Sequence, residues 1–465
     1  YTHAEVVDLT TRIAAGLLDF GLKPLDRAIF QISNCRELVL SFVACLKAGI
    51  IPVCTLTAHR RAEISYLANH SEARAHFICT DDKFDFAAFA DEMRGEAPSL
   101  AYTIVSRGDV PDRDGAHGLM ALADRVDRAT AEKRLAQIDR DPAQVAVFQL
   151  SGGTSGIPKI IPRFHNEYLW QIRTAGNFQG LTHETVSFSA APMMHNAPII
   201  CYWGSTFFSG GEVVSMPYPT PEVMAHLIEA RRPNWMAIPL PLMIRLLDQK
   251  LVSRDILSQA THVATNNPFS MMRMTGGPAV PLYGMTEGII CYGRVGDPDY
   301  VMANTVGRPI DPITRIRVVD PETGAEIPDG TIGEMEFRGP SSTRGYYDAE
   351  ERNRDAFTAD GYCKSGDLMC IHRVDGKLYL SFDGRVKDVV SRGGEKINCQ
   401  EVERALEQHP AVGAIATVAM PDRVYGERMC AFIIPKAGQT APDVAEAGKF
   451  LEELGPAKVK WPGRI

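Results

Sequence analysis

A short segment rich in glycine and hydroxyl residues, LSGGTSGIPK at positions 150–159, constrains this chain more than any other feature. Glycines let backbone N–H groups turn toward an anion at low steric cost, Thr154 and Ser155 add hydroxyl donors, and Lys159 adds a positive charge. The apolar run before it, Gln144–Leu150, predicts a strand that ends at this loop. The segment therefore has the composition of a polyphosphate-binding turn at a strand end.

Two other interpretations of this segment agree less well with its residues. A Walker A loop requires Gly-Lys followed by Ser or Thr, whereas this segment ends in Pro158-Lys159-Ile160, so that motif is excluded. An ordinary Gly/Ser turn explains the glycines alone, but neither the hydroxyl pair nor the terminal Pro-Lys.

Length and composition indicate a multidomain globular protein. The 465 residues exceed what one hydrophobic core usually supports, so at least two domains are expected. No apolar run is long enough to span a membrane. The formal net charge of −8, with no basic cluster, disfavours nucleic acid as a partner. Ten scattered cysteines and no signal-peptide pattern at the start predict a cytoplasmic location.

Alternating helix and strand patterns in the N-terminal part predict an α/β fold of stacked, mostly parallel sheets. Apolar residues recur at helical spacing in Val6–Phe20, and a strand-like run follows at Ala28–Ile32. A second helical pattern, Glu37–Ala48, ends at Gly49 before another apolar run. The same alternation continues beyond the glycine-rich loop.

The pattern of predicted secondary-structure elements changes in the C-terminal part. From Arg315 short strands and turns alternate, which predicts a β-rich subdomain over about 315–386. A compact α+β pattern follows, with a helical segment at Cys399–Gln408. We therefore expect a large N-terminal domain over residues 1–386, which includes the β-rich subdomain, and a small α+β C-terminal domain over residues 387–465.

Further motifs lie downstream of the loop in this order: YGMTEG at 283–288, KSGD at 364–367, DGRVKD at 383–388 and SRGGEKIN at 391–398. Each is weak alone, because any turn can hold such residues. Together with the loop they resemble the acyl- and aryl-adenylating enzymes, the superfamily of acyl-CoA synthetases, nonribosomal-peptide adenylation domains and luciferases. The resemblance covers nearly the whole chain.

Within that superfamily the chain most resembles the stand-alone aryl-acid adenylating enzymes, the 2,3-dihydroxybenzoate- and salicylate-AMP ligases of siderophore pathways. The segments that carry this resemblance are IPRFHNEY at 161–168, MHNAP at 194–198, RGP at 338–340 with RGYY at 344–347, and VE at 402–403 with HPAV at 409–412.

The resemblance implies ATP and Mg²⁺ as cofactors. It assigns to the nucleotide Ser151, Gly152, Gly153, Thr154, Ser155, Gly156, Gly284, Asp367 and Arg385, and to catalysis Lys159, Thr286, Glu287 and Lys396. Glu287 is expected to bind Mg²⁺, which needs few protein ligands because it keeps water and phosphate oxygens. Asp367 is expected to contact the ribose hydroxyls, although alone it also fits a turn aspartate after Gly366.

The resemblance places the aryl acid among His195, Asn196, Ala197, Cys201, Gly276 and Gly277. The Asn196 amide both donates and accepts hydrogen bonds, so it would recognise an ortho hydroxyl and reject acids that lack one. The alternative is that Asn196 only caps the turn before Pro198.

Several pocket positions depart from the family pattern. Ala197 stands where relatives usually carry an aromatic residue, and Tyr202-Trp203 replace the usual Pro-Gly, which predicts a pocket for a larger or differently substituted acid. Cys201 aligns with a serine of dihydroxybenzoate enzymes that is often cysteine in salicylate enzymes. Because a thiol is a poor partner for a 3-hydroxyl, this favours salicylate-like acids slightly. Ordinary core packing of Cys201 is the alternative.

The resemblance also implies a mobile C-terminal domain that turns about a hinge at Lys387, with the loop that holds Lys396 lining a tunnel for the thiol. Lys387 and Asp388 also fit an exposed charged turn, and both interpretations can hold. The family's terminal Gly-Lys has no counterpart before Ile465, and few residues separate Gly277 from Tyr283. We therefore expect a truncated C-terminal domain and residues omitted near Pro278.

The sequence thus predicts ATP-dependent activation of a 2-hydroxyaryl acid, followed by transfer to the phosphopantetheine thiol of an aryl carrier protein. The expected partners are the aryl carboxylic acid and that carrier protein, with the chain as a monomer or homodimer. In one alternative function, the enzyme transfers the aryl group to coenzyme A. Another, suggested only by the missing terminal lysine, is a catalytically silent binding module.

Overall fold

The computed structural model describes residues 1–151, 158–265, 268–392, 395–454 and 458–465. These residues form two compact units. The first unit comprises Tyr1–Ala303, Gly307–Thr314 and Gly339–Ala356. The second comprises Asn304–Val306, Arg315–Arg338 and Phe357–Ile465.

The first unit begins with a seven-stranded sheet of order β5-β4-β3-β1-β2-β6-β7, parallel except for the antiparallel β6–β7 pair. Its elements in chain order are α1 (His3–Phe20), β1 (Arg27–Gln31), α2 (Arg36–Ala48), β2 (Ile51–Val53), α3 (Arg61–His70), β3 (Ala75–Cys79), α4 (Phe86–Glu96), β4 (Tyr102–Arg107), β5 (Ala116–Gly118), α5 (Leu119–Asp124), α6 (Arg128–Leu135), β6 (Val145–Ser151) and β7 (Lys159–Phe164).

A second seven-stranded sheet has the order β14-β13-β12-β11-β10-β8-β9, with only β13 and β14 antiparallel to their neighbours. Its elements are α7 (His165–Gln179), β8 (Val186–Ser189), a π-helix (Pro198–Trp203), α8 (Gly204–Phe208), β9 (Glu212–Val214), α9 (Pro221–Arg231), β10 (Trp235–Ala237), α10 (Leu240–Asp248), α11 (Arg254–Leu257), β11 (His262–Thr265), α12 (Pro268–Thr275), β12 (Ala279–Gly284), β13 (Ile290–Tyr292), α13 (Asp299–Asn304) and β14 (Arg308–Pro309).

Three apolar clusters show how the first unit is layered. One joins the first sheet to the second through α1, α2 and α7, with Phe30 and Trp235 both buried in it. Another packs α3 and α4 on the outer face of the first sheet, around Phe148. The last packs α9 to α12 against the second sheet, around Phe188. Because helices cover both faces, strands such as β3 are buried along their whole length.

Local sequence explains where these helices begin and end. The N-cap residue Thr2 and Glu5 form a capping box at the start of α1, and Gly21 ends that helix with a φ of 119°. Gly49 ends α2 in the same way, with a φ of 72°. Such backbone angles are costly for residues other than glycine, so both glycines stop a helix.

The second unit is mainly antiparallel. One sheet has the order β15-β16-β17-β18 and another the order β20-β19-β22-β21. A core around Val402, Met429 and Leu451 holds the second sheet and its helices together. The elements of this C-terminal part of the chain are β15 (Arg315–Val319), β16 (Ile332–Arg338), α14 (Glu350–Ala356, which belongs to the first unit), β17 (Cys363–Val374), β18 (Lys377–Arg385), β19 (Val389–Arg392), β20 (Glu395–Asn398), α15 (Cys399–Leu406), β21 (Val412–Asp422), β22 (Gly426–Pro435) and α16 (Val444–Leu454).

The predicted fold class is confirmed. The chain contains parallel-rich sheets covered by helices, an antiparallel β sheet and a small α+β part. The predicted helices and strands of residues 1–53 correspond to α1, β1, α2 and β2. The predicted domain division at residue 387 stays a prediction. No helix among the described residues has the length and apolarity needed to cross a bilayer.

The core of the first unit should make its stability sensitive to acid. His76 on β3 is fully buried beside Gln31, and burial lowers its pKa to about 3. The unfolded chain therefore binds a proton that the folded chain excludes, so the free energy of unfolding falls as pH drops below about 6.5. The loss is up to about 1.4 kcal/mol per pH unit until the folded-state pKa is reached.

We expect His76→Gln to lower the thermal midpoint at pH 7 but to flatten its decline between pH 6.5 and 4.5, as followed by circular dichroism. His226→Gln, at an exposed position of α9, is the matched control and should leave the decline unchanged. Equal declines in wild type and His76→Gln would contradict this prediction.

Candidate active site

The predicted phosphate loop connects two paired strands of the first unit. Ser151 ends β6, Lys159 begins β7, and these two residues lie directly opposite each other in the antiparallel ladder. Cross-strand partners have Cβ atoms about 4.5–5.5 Å apart, so the two ends of the loop are held close together. Gly152, Gly153, Thr154, Ser155 and Gly156 lie outside the described residues.

Tyr346 links two of the predicted catalytic residues. The Lys159 Nζ atom lies 4.6 Å from the centre of its ring, a cation–π distance. Its hydroxyl donates a hydrogen bond of 2.9 Å to Oε1 of Glu287, whose side chain is buried. The backbone carbonyl of Glu287 accepts a hydrogen bond of 2.7 Å from the Thr343 amide. The structure therefore brings Lys159 and Glu287 together through one phenol.

Arg163, near the end of β7, is a buried residue that connects several parts of the site. Its guanidinium is fully buried, and it forms an ion pair with Glu167 in the first turn of α7. It donates to Glu167 Oε1 at 2.8 Å, Gln171 Oε1 at 2.8 Å, the Thr286 carbonyl at 2.9 Å, the Ser341 carbonyl at 3.2 Å and Asn196 Oδ1 at 3.4 Å.

The sequence prediction gave Arg163 no role, although its segment contributed to the family resemblance. A signal existed in the order of Arg163 and Glu167, because a residue just before a helix can form an ion pair with an acidic residue in the first turn of that helix. Such pairs also occur at exposed helix starts, so this order does not by itself indicate burial.

A close backbone contact fixes the segment that follows β12. Gly288 has a φ of 129°, and a Cβ atom there would lie 1.9 Å from the Ser341 carbonyl oxygen. The carbonyl of Gly288 accepts a hydrogen bond from the Gln171 side chain. Thr286 and Glu287 are thereby held against the loop of Ser341 and against α7. Gly284, the last residue of β12, lies just upstream and is exposed.

The His195-Asn196 pair follows β8 on a segment tied to the first sheet. The Asn34 side chain donates to the Ala191 carbonyl at 2.9 Å and accepts from the Met193 amide at 2.8 Å. His195 is exposed, Asn196 is buried, and Ala197 is half-buried. The π-helix then begins at Pro198; such wide turns occur often at functional sites.

Cys201 lies within the π-helix and is fully buried in the main core. Burial raises the pKa of its thiol, as it raises the pKa of the neighbouring Tyr202 and Tyr292 phenols. Its carbonyl accepts a hydrogen bond of 3.2 Å from Gln179. The thiol is thus surrounded by core residues, and its contact with an aryl acid stays a prediction.

Gly276 and Gly277 are not brought to this cluster. They follow α12 and lie against α11, where a Cβ atom on Gly277 would be 3.1 Å from the Leu257 carbonyl. They precede β12, whereas Gly284 ends it. A strand rises about 3.3 Å per residue, so the two ends of β12 are roughly 17 Å apart. Their contacts are those of a tight turn, and a role in acid binding stays a prediction.

The remaining predicted residues belong to the second unit. Asp367 and Arg385 are direct partners across β17 and β18, with Arg385 Nε 3.6 Å from Asp367 Oδ1. Lys387 is exposed in a short 3-10 helix, Val386–Asp388. Lys396 lies on β20, and its side chain is outside the described part of the chain. That these groups meet the first unit around one nucleotide stays a prediction.

Comparison with known proteins identifies a family. Residues 1–347 match the AMP-binding enzyme family, and residues 401–460 match the AMP-binding enzyme C-terminal domain. The chain is 34% identical to 2,3-dihydroxybenzoate-AMP ligase of Bacillus subtilis, covering all of this chain and 85% of that protein. It is 37% identical to a salicylyl-CoA synthase / salicylate adenylyltransferase of a Streptomyces species, covering 99% of this chain and 84% of that protein.

Among solved structures, the apo structure of MbtA from Mycobacterium smegmatis superposes with a TM-score of 0.73 at 31% sequence identity. The match covers 100% of this chain and 85% of that one. The fold and the sequence thus point to the same group of proteins.

The hydroxyl of Tyr346 should matter for use of the metal. Tyr346→Phe keeps the ring near Lys159 but removes the hydrogen bond that orients the Glu287 carboxylate. Loss of a partner that orients a metal ligand typically weakens metal binding about 10- to 100-fold. We expect the Mg²⁺ concentration for half-maximal ATP–pyrophosphate exchange to rise by about the same factor. Tyr347→Phe is the matched control, because its ring packs on Phe148. An unchanged Mg²⁺ dependence in Tyr346→Phe would argue against Glu287 as the metal ligand.

Proposed function

This chain belongs to the family of AMP-binding enzymes, and we propose that it uses ATP to activate a 2-hydroxyaryl carboxylic acid. The products of the first step are the aryl-adenylate and pyrophosphate. The aryl group then passes to the phosphopantetheine thiol of an aryl carrier protein, in siderophore or other nonribosomal peptide biosynthesis. The observation that carries this proposal is the Arg163 guanidinium, which joins Asn196 to the Thr286 carbonyl.

The names of the relatives support this substrate class. The 2,3-dihydroxybenzoate-AMP ligase and the salicylate adenylyltransferase both act on benzoic acids with an ortho hydroxyl, as their names state. The resemblance assigned Asn196 to the ortho hydroxyl, and this residue lies in the same hydrogen-bonded group as the YGMTEG segment.

The residues present fit a nucleotide with one Mg²⁺. Glu287 is a buried carboxylate, and one of its oxygens accepts a hydrogen bond from Tyr346. A single carboxylate suits Mg²⁺, which completes its shell with water and phosphate oxygens. When bound, the ion would neutralise phosphate charge. We propose that Glu287 holds it, with Lys159 and Ser151 near the β- and γ-phosphates.

The chemistry demands charge neutralisation more than a protein nucleophile. The aryl carboxylate attacks the α-phosphorus of ATP, the bond to the bridging oxygen breaks, and pyrophosphate leaves. Both reactants are negative, so the protein must align them and offset their repulsion. Thr286 is proposed to contact the α-phosphate, and its position is set by the hydrogen bond from Arg163 to its carbonyl.

The second unit supplies the remaining proposed roles. Asp367 is proposed to accept hydrogen bonds from the ribose hydroxyls, with Arg385 beside it. Lys387 is proposed as the hinge about which the C-terminal domain, residues 387–465, turns between the two half-reactions. Lys396 is proposed to line the path of the incoming thiol.

Coenzyme A is a second candidate acceptor, because one relative is named a salicylyl-CoA synthase. The two acceptors are distinguished by supplying free coenzyme A in place of a carrier protein. A soluble aryl-CoA thioester detected by mass spectrometry favours the CoA ligase. An aryl group found only on the phosphopantetheinylated carrier favours the carrier-loading enzyme.

We expect acid-dependent ATP–pyrophosphate exchange with ortho-hydroxylated benzoic acids. Asn196→Ala should reduce the preference for salicylate over benzoate by about 5- to 100-fold, the loss expected when a buried hydroxyl has no partner. The KM for ATP should change little.

The matched control is Asn177→Ala, at an exposed position of α7. It should retain the preference. Absence of exchange with every ortho-hydroxy aryl acid would refute the proposed substrate class.

A further inference from the structure

We infer that Arg163 fixes the side-chain amide of Asn196 so that its NH₂ group faces the aryl acid, and that the site therefore selects acids whose ortho substituent accepts a hydrogen bond. The inference rests on the proposed function, since it takes Asn196 to contact the acid. Arg163 acts here as a positioning residue for specificity.

The orientation of the Asn196 amide follows from the chemistry of its neighbour. A guanidinium carries N–H donors and no acceptor. The Asn196 atom that faces it must therefore be the carbonyl oxygen, Oδ1, which lies 3.4 Å from Arg163 Nη1. If the amide were flipped, its NH₂ group would point at a buried cation, with two donors opposed and no hydrogen bond.

Arg163 itself has no freedom to turn away. A guanidinium has five N–H groups, and five acceptor atoms surround this one: Glu167 Oε1, Gln171 Oε1, and the oxygens of Thr286, Ser341 and Asn196. Its side chain is fully buried, and the carboxylate of Glu167, at 2.8 Å, balances its charge. The planar group is therefore held by protein on all sides.

The other end of the amide is available to a ligand. Among the residues that the structure describes, none accepts a hydrogen bond from Asn196 Nδ2. The residue is 6% exposed, so it is largely removed from water. A buried NH₂ group without a protein acceptor favours a ligand that supplies one.

The ortho substituents of benzoic acids differ in what they offer to this group. In the salicylate anion the hydroxyl proton bonds to the molecule's own carboxylate, which leaves the phenol oxygen as an outward acceptor. In anthranilate one amino proton bonds to the carboxylate and the other points outward as a donor, while the nitrogen lone pair is delocalised into the ring. Salicylate therefore matches the Asn196 NH₂ group, and anthranilate opposes it.

The first test needs no substitution. The kcat/KM of acid-dependent ATP–pyrophosphate exchange is measured on the full chain with salicylate, 2-fluorobenzoate, benzoate and anthranilate. We expect salicylate to exceed anthranilate by at least about 100-fold, and anthranilate to fall below benzoate, because an unpaired buried donor is penalised. Anthranilate within about threefold of salicylate would overturn the inference. Absence of exchange with all four acids would instead count against the proposed function.

The second test reverses the hydrogen-bond polarity at one position. Asn196→Asp replaces the NH₂ donor by an acceptor of nearly the same shape, while the charge of Arg163 still pairs with the carboxylate. We expect the salicylate-to-anthranilate ratio to fall by at least about tenfold in this variant. An unchanged ratio would overturn the inference.

The third test addresses Arg163. Arg163→Lys keeps a cation that only donates, whereas Arg163→Gln places a group that also accepts and so permits the flipped amide. We expect the salicylate-to-anthranilate ratio to persist in Arg163→Lys and to fall in Arg163→Gln. Both acids are compared within one preparation, so a loss of folded protein cancels in the ratio.

Arg173→Gln, an exposed position on α7, is the matched control and should keep the wild-type ratio. Equal ratios in Arg163→Lys and Arg163→Gln would assign Arg163 a purely structural role. If neither Arg163 variant folds, the four-acid comparison and Asn196→Asp still test the inferred orientation of the Asn196 amide.

Discussion

The candidate site depends on one buried cation. Transferring a guanidinium from water to a protein interior costs several kcal/mol, and only good acceptors on every side offset that cost. Arg163 receives them from α7, from the His195-Asn196 segment, from the segment after β12 and from the loop at Ser341. Withdrawing any of these segments would leave one N–H group of the buried guanidinium without its acceptor, so the position of each segment is coupled to the others.

The parallel sheets determine which segments reach that cation. In the second sheet β8 and β12 run parallel, so both carboxyl ends lie at one edge. The Asn196 segment follows β8, and Thr286 follows β12. Ligands of open α/β sheets generally bind at this edge, beyond the ends of the strands. Helix α7, which follows β7 of the first sheet, brings Glu167 and Gln171 to the same place.

The features that could be predicted from sequence were those marked by a repeating apolar pattern or by several motifs occurring together. Helical spacing and apolar runs predicted α1, β1, α2 and β2, because burial of one face imposes a period on the sequence. The YGMTEG motif pointed to Glu287 by its position within a set of motifs. Arg163 could not be found in this way, because a lone arginine has no period and its burial depends on acceptors far away in the sequence. Gly276 and Gly277 form a turn before β12, and their role in acid binding stays a prediction because a glycine pair marks a turn without indicating what binds beside it.

The π-helix after Ala197 has a consequence for how the pocket wall can change. A π-helix contains more residues per turn than an α-helix, so the stretch Pro198–Trp203 holds extra chain between the Asn196 segment and α8. Because a π-helical turn holds one residue more than an α-helical turn, removing one residue there would change which side chains the predicted pocket wall presents, while the chain before it, with Asn196, keeps its place. Variation in length, and not only in side-chain identity, is thus a route by which such a wall acquires a new shape.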